Sequence, residues 1–241
     1  MLQKTRGLVL HNIKYSDSSI ISHIYTEGFG RMSFLITGTR GKKSSVRINL
    51  LGHLSILEME VYIKQSRDLQ RVKEIRLHEN FSSIPYDPVK NAVALFISEI
   101  LYRTLQEQEK NLPLFSFLVN AIKIFDISER GFANFHLIFL IGLTRHLGFF
   151  PQNNYSPLKE YFDIENALFT DKQPVNPYFI SPPESRYLSE LMSSTFGMMD
   201  KVKLNGALRN SLVTGLLDYY RFHLPGMGKL KSISVMKEIF D

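Results

Sequence analysis

Three residue patterns in this chain could do chemistry. The first is Gly38-Thr39-Arg40-Gly41-Lys42-Lys43-Ser44-Ser45, a glycine-and-lysine segment of the kind whose backbone N–H groups and cations hold phosphates. It is not a nucleotide-hydrolysing loop. Such a loop needs four residues between its first glycine and the Gly-Lys-Ser/Thr, whereas two separate Gly38 from Gly41 here and Lys43 intervenes before Ser44. The second pattern is the histidines, His11, His23, His53, His78, His136, His146 and His223. His136 and His146 share one helical stretch, but no acid partner accompanies them as in a zinc-protease helix. The third is the carboxylate pairs Glu58/Glu60 and Asp163/Glu165, each on one face of an expected strand. They could hold Mg²⁺ for a nuclease, yet nothing else of a two-metal site accompanies them, and a solvated strand face is the preferred reading.

The chain has 241 residues and no cysteine, which excludes thiol nucleophiles, disulfide scaffolds, thiolate zinc and iron–sulfur sites. No nucleophile elbow and no dinucleotide fingerprint occurs. The residues therefore argue for a binding protein that is not an enzyme and uses no cofactor or metal.

Charge says what it would bind. Residues 1–79 hold 13 Lys/Arg against 7 Asp/Glu, and the remaining residues hold 16 of each, so the whole net charge of +6 lies in the first third. That asymmetry fits a segment that meets a polyanion. Between Glu27 and Glu58 there is no acid, while Arg31, Arg40, Lys42, Lys43 and Arg47 lie on or beside one Gly/Ser loop. Arg71 and Lys73 follow on a later strand, completing the candidate nucleic-acid contacts.

These residues need elements to position them. From Arg6 to about His78 the period is two, with strands at Leu8-Val9-Leu10, Ile20 to Thr26, a third through Met32, Phe34 and Ile36, then Leu57 to Ile63 and Leu69 to Leu77. Glu27-Gly28-Phe29-Gly30 supplies a hairpin turn, and Val46 to Leu51 is long enough for one or two helical turns. Five strands with a short helix between the third and fourth is the plan of an OB-fold barrel. The N-terminal aromatics are Tyr15, Tyr25, Phe29, Phe34 and Tyr62, with at least Phe34 in the core pattern. Few faces remain for stacking bases, so backbone-dominated, sequence-independent binding is expected.

After Pro85-Tyr86-Asp87-Pro88 the period becomes helical, with Asp87 as cap and Pro88 in the first turn. Glu99 and Arg103 should pair across one turn of this helix, and a second carries Phe115 to Phe125. A helix from about Gly131 to Leu147, apolar on nearly all sides, should be central. Residues 148–183 lack a helical period, with a hairpin expected over Tyr161 to Phe169. Helices resume at Ser181-Pro182-Pro183-Glu184, read as a capping box, and the last long one carries Leu208, Leu212, Leu216 and Tyr219/Tyr220. The expected organisation is multidomain: a barrel over 1–79, then a helical bundle domain over 80–241 with a non-helical insert. No stretch reaches the ~20 apolar residues of a membrane span, and Met1 to Arg6 does not open a signal peptide, so a cytoplasmic location is expected.

The residues resemble the RecO family of bacterial recombination mediators. The resemblance runs through Gly7-Leu8-Val9-Leu10, Tyr15-Ser16-Asp17-Ser18-Ser19, Thr26 to Arg31 and Thr37 to Ser44. It continues in Phe96 to Leu101, Asn134-Phe135-His136-Leu137, Leu147 to Pro151 and Leu230-Lys231-Ser232. It implies an OB-fold followed by a helical domain, binding of single- and double-stranded DNA, strand annealing and recombinase loading. The implied partners are RecR and the acidic C-terminal tail of single-strand-binding protein. The family's basic loop matches Arg40, Lys42 and Lys43, which the charge pattern also selects. For the acidic tail, Arg145, Arg130 and Lys123 are the candidates. Many members carry a four-cysteine zinc site after the Leu-Gly-Phe-x-Pro segment. Pro151 to Pro183 has no cysteine, so packing of Phe162, Phe169, Tyr178 and Phe179 is expected to replace it. An OB-type RNA-binding protein and, further off, a metal-dependent nuclease are the alternatives.

Overall fold

The computed structural model describes residues 1–37, 48–64 and 66–240, which form two compact units, Met1–Asp126 and Ile127–Asp241. In the first, strands β1 (Leu2–Ser16), β2 (Ser19–Thr26), β3 (Gly30–Thr37), β4 (Ile56–Tyr62) and β5 (Leu69–Leu77) close into a barrel of order β1-β2-β3-β5-β4. All pairings are antiparallel except β3 with β5, the connectivity expected of an OB-type barrel. Alternation sends Val9, Ile24, Phe34, Ile36, Met59 and Val61 inward, where they are buried. Burying one such side chain fully is worth about 1.5–3 kcal/mol. The β2–β3 turn needs its glycine: Gly30 has φ +65°, and a Cβ there would meet the Glu109 backbone at 2.5 Å.

Two helices belong to this same unit. The period change at 77–88 falls where the sequence places it, but the break in packing comes later, because α1 (Pro88–Thr104) and α2 (Leu112–Ile127) pack with the barrel. Asp87 caps α1 by accepting from Val89 N and Lys90 N. Tyr25 on β2 faces Phe115 on α2 at 6.5 Å between ring centroids. The link between barrel and helices is fixed by Asp126, whose carboxylate accepts from the N–H groups of Ser82, Ser83 and Ile84. Burial opposes its charge, but those N–H groups outweigh burial and hold its pKa below the ordinary value.

The second unit is built around α3 (Phe135–Leu147), of which nine residues are buried, as an all-round apolar helix requires. The expected first turn differs: Gly131 is left-handed (φ 70°) and Phe132–Asn134 is a short 3-10 turn. Strands β6 (Tyr161–Asp163), β7 (Leu168–Thr170) and β8 (Phe179–Ile180) form a small sheet of order β7-β6-β8 within the non-helical stretch. Phe162 and Phe169 meet edge to face at 5.0 Å, and Phe162 lies 5.8 Å from Tyr219 on α5 (Gly206–His223). That aromatic cluster packs the cysteine-free stretch between Pro151 and Pro183. Tyr178 and Phe179 take little part, since Tyr178 is 48% exposed against Phe222 and Phe179 sits edge-on to Tyr161. The capping box at Ser181 does not form: α4 (Glu184–Met192) begins only at Glu184, with Pro183 at its N-cap position and no side-chain cap, and the Glu184 carboxylate instead accepts from Ser211 Oγ at 3.1 Å. A last helix, α6 (Ser232–Phe240), ends the described chain.

Candidate nucleic-acid interface

Ion pairing sorts the cations of the barrel into two sets. On the outer face of β1, β4 and β5, cations and acids stand on neighbouring strands. Lys4 meets Glu60 at 3.4 Å, Lys73 meets the same carboxylate at 2.8 Å, and Arg76 meets Glu58 at 3.4 Å. Arg6 grips Glu27 with two hydrogen bonds of 3.0 and 2.6 Å, and Lys123 pairs with Glu79. The hydrogen bond from Lys73 holds the Glu60 carboxyl below the ordinary carboxylate range, and that from Arg6 does the same for Glu27. These cations are neutralised where they stand.

The β4–β5 turn is different. Lys64, Arg67 and Arg71 are exposed, and among the described residues none of the three has an ion-pair partner. Buried Gln70 holds the turn that carries them: its Oε1 accepts from Lys64 N at 2.9 Å, and its Nε2 donates to Lys64 O at 2.9 Å and to Arg67 O. In the parallel β3–β5 ladder Arg71 stands beside Leu35, two residues before β3 ends at Thr37 and the chain enters Gly38–Arg47. Arg40, Lys42, Lys43 and Arg47 of the sequence prediction, and the helical turns expected from Val46, lie outside the described residues. Ile48–Leu51 is a 3-10 turn.

Arg31, chosen from sequence beside the basic loop, is committed elsewhere. Its Nη1 donates to Tyr102 O at 3.0 Å, Leu105 O at 3.2 Å and Gln106 Oε1 at 2.5 Å, and its guanidinium lies 4.4 Å from the Tyr102 ring centroid. It closes the C-terminal end of α1, whose last carbonyls lack helical partners. Lys73 is likewise occupied by Glu60. Lys64 and Arg67 were missed by sequence reading because nothing local marks which cations of a basic segment find acids.

The other chemical patterns resolve into structure. Glu58 and Glu60 are ion-pair partners, and Asp163 turns the β6–β7 hairpin by accepting from Glu165 N at 2.9 Å and Asn166 N at 3.1 Å. His11 and His23 both pack against Tyr102, and burial lowers the pKa of His11, His23 and His53. His136 is buried in α3 and is pushed down to about 3, by burial first and the Arg209 charge second. Among the described residues no three His, Asp or Glu gather as a metal ligand set.

In the helical unit a cavity of about 670 Å³ has a mixed lining. Met199, Val202, Leu208 and Tyr187 supply apolar wall, and Arg130, Lys203 and Arg209 supply cations. Asn134 braces it, donating to Met199 O at 3.0 Å and Val202 O at 2.7 Å while accepting from Arg209 Nε at 3.2 Å. Of the three sequence candidates for an acidic peptide, Arg130 lines this cavity. Arg145 lies over the Phe150 ring at 3.7 Å, and Lys123 is paired with Glu79.

A closed barrel of this connectivity with a helical region after it places the chain in the OB-type class. A family profile described as Recombination protein O N terminal matches residues 1–81, and one described as Recombination protein O C terminal matches residues 85–233. The chain is 43% identical to the DNA repair protein RecO of Bacteroides fragilis, 40% to that of Phocaeicola vulgatus and 36% to that of Porphyromonas gingivalis, in each case over 100% of both chains. The chain belongs to the RecO family of DNA repair and recombination proteins.

Proposed function

We propose that this chain is a non-enzymatic recombination mediator that binds single- and double-stranded DNA through the β4–β5 end of its barrel and promotes strand annealing and recombinase loading with RecR and single-strand-binding protein. The observation that carries the reading is the segregation of charge. Among the described residues Lys64, Arg67 and Arg71 make no ion pair, although Asp68 shares their turn, and they lie beside the strand end that leads into Arg40, Lys42, Lys43 and Arg47, whereas the cations of the β1–β4–β5 face are paired. Phosphates are the natural counter-ions for such an end.

The cavity of the helical unit suits an acidic peptide tail: Arg130, Lys203 and Arg209 would meet carboxylates, and Met199, Val202 and Leu208 an apolar side chain.

Annealing of complementary strands by a Lys64→Ala/Arg67→Ala/Arg71→Ala protein tests the DNA site. Annealing should fall together with affinity, and log affinity against log salt on single strands should be about 2 units shallower if three phosphate contacts are lost. Unchanged annealing and salt slope would overturn the reading, and strand breakage in Mg²⁺ would favour a nuclease. Competition with a matched RNA strand separates the remaining alternative, an RNA-binding barrel.

A further inference from the structure

The barrel's outer surface carries one row unlike its neighbours. Strand register aligns Ile13 with Ile21, Ile21 with Leu35, Leu35 with Arg71, Arg71 with Tyr62 and Tyr62 with Leu2, a continuous path around all five strands. Ile21, Leu35 and Tyr62 alternate with buried Ile20, Phe34 and Val61 and so point outward, and Ile13 and Leu2 lie where β1 is open to water on both sides: Ile13 is 43% exposed, Tyr62 and Leu2 44% each, and Ile21 and Leu35 are half-buried. Two residues along, Lys4 stands in register with Glu60 and Glu60 with Glu74, a polar stretch in which Glu60 is ion-paired to Lys4 and Lys73. An apolar row open to water along a whole barrel circumference is where a ligand is expected. What covers it should carry both apolar surface and negative charge, because the row passes through Arg71 and ends beside the turn bearing Lys64 and Arg67.

We infer that this row is a track for the unpaired bases of a DNA single strand, with Tyr62 as its stacking platform. The inference rests on the DNA-binding reading above and adds what the strand is recognised by. Tyr62 is exposed at the end of β4, in register with Arg71. A phosphate held by Arg71 would set its base near the phenol ring. Tyr15, the other exposed tyrosine of the barrel strands, sits at the β1–β2 end beside Lys14, which is paired with Asp17 at 3.3 Å. Five strands at about 4.8 Å give a path of roughly 20 Å, suited to the shortest single-strand sites of such barrels, about four nucleotides. A duplex keeps its bases stacked inside and cannot use the platform.

Fluorescence anisotropy with three probes tests this: a short single strand, the same strand made abasic, and a duplex. Tyr62→Ala should weaken binding of the intact strand roughly tenfold, within the range for loss of one base–aromatic stack. Tyr62→Phe should retain the affinity, and both variants should bind duplex as the unaltered protein does. The unaltered protein should bind the abasic strand about as weakly as Tyr62→Ala binds the intact one, a comparison that needs no variant. If the unaltered protein holds intact and abasic strands equally, or Tyr62→Ala changes neither, the stacking platform is wrong. Should Lys64→Ala/Arg67→Ala/Arg71→Ala also leave all three probes unaffected, the DNA-binding reading itself fails.

Discussion

The barrel and the helical unit use polar groups in opposite ways. On the barrel the ionised groups lie outside, and their strand neighbours decide whether each is neutralised: Lys4, Lys73 and Arg76 pair with acids, while among the described residues Lys64, Arg67 and Arg71 make no ion pair. In the helical unit the decisive polar groups lie inside. Asn134 and His136 are buried on or beside α3, and the Tyr220 hydroxyl donates to Leu140 O at 2.6 Å. Charge left over outside is available to a ligand, whereas a polar group inside is bound to its own fold. Changes on the barrel surface should therefore alter binding with little cost in stability, and changes inside the helical unit should do the reverse.

The largest expected effect is an acid sensitivity of the helical unit. His136 has a folded pKa of about 3 against the ordinary 6.5, so between those values the unfolded chain binds a proton that the native one does not. Stability then rises with pH through this window and is lost as pH falls, at about 1.4 kcal/mol per pH unit for such a group. Urea unfolding at pH 7 and pH 4.5 should differ by roughly 2–3 kcal/mol from this source, and the difference should shrink in His136→Leu. A similar fall in that variant would place the acid sensitivity elsewhere.

Next, Asn134→Ala should cost about 2 kcal/mol, because it leaves Met199 O and Val202 O without their donor and removes the acceptor of Arg209 Nε. DNA affinity measured on the folded fraction should not change.

On the barrel, Lys64→Ala/Arg67→Ala/Arg71→Ala should weaken single-strand binding roughly 50-fold near 0.15 M salt, the counter-ion effect of three contacts, with a shift in melting temperature of only a degree or two. Lys4→Ala/Arg76→Ala removes as much formal charge per residue from the paired face and should change affinity less than about threefold, since surface pairs are worth 0–1 kcal/mol. Equal losses from both variants would erase the distinction between the faces.

The smallest effect is expected from Arg31→Ala, a cation that the charge pattern groups with the basic loop and the structure ties to α1. It should lower stability by about 1–2 kcal/mol while single-strand affinity stays within twofold. A loss of affinity without a loss of stability would return Arg31 to the DNA site.

Much of the fold was legible in the sequence because it rests on local periods. Alternation through Leu57, Met59 and Val61 marks β4, Asp87-Pro88 marks the start of α1, and the all-round apolar run marks α3. The capping box at Ser181 did not form because the helix starts at Glu184, where the box needs its third residue, and Glu184 is engaged by Ser211 instead. The site was less legible. Residue type picks out Arg71, Arg31 and Lys73 alike, but Arg31 and Lys73 are occupied by partners 71 and 13 residues away, while among the described residues Arg71 makes no ion pair. Of the aromatics that the sequence shows in the barrel, Tyr25 and Phe34 are buried, while the exposure of Tyr62 depends on the barrel's register, which local periods do not give.

The sequence by itself determined the order of barrel and helices, the confinement of net positive charge to the first 79 residues and, through the lack of cysteine, the loss of any thiolate zinc site. Only the tertiary structure decided which of those positive charges remain unpaired and which outward side chains line up into a row. The reason is physical: composition and period are properties of a segment, but a salt bridge or a surface row is made by strands far apart in the chain and brought together by closing the barrel. Glu60 neutralises Lys4 and Lys73 only because β4 lies between β1 and β5.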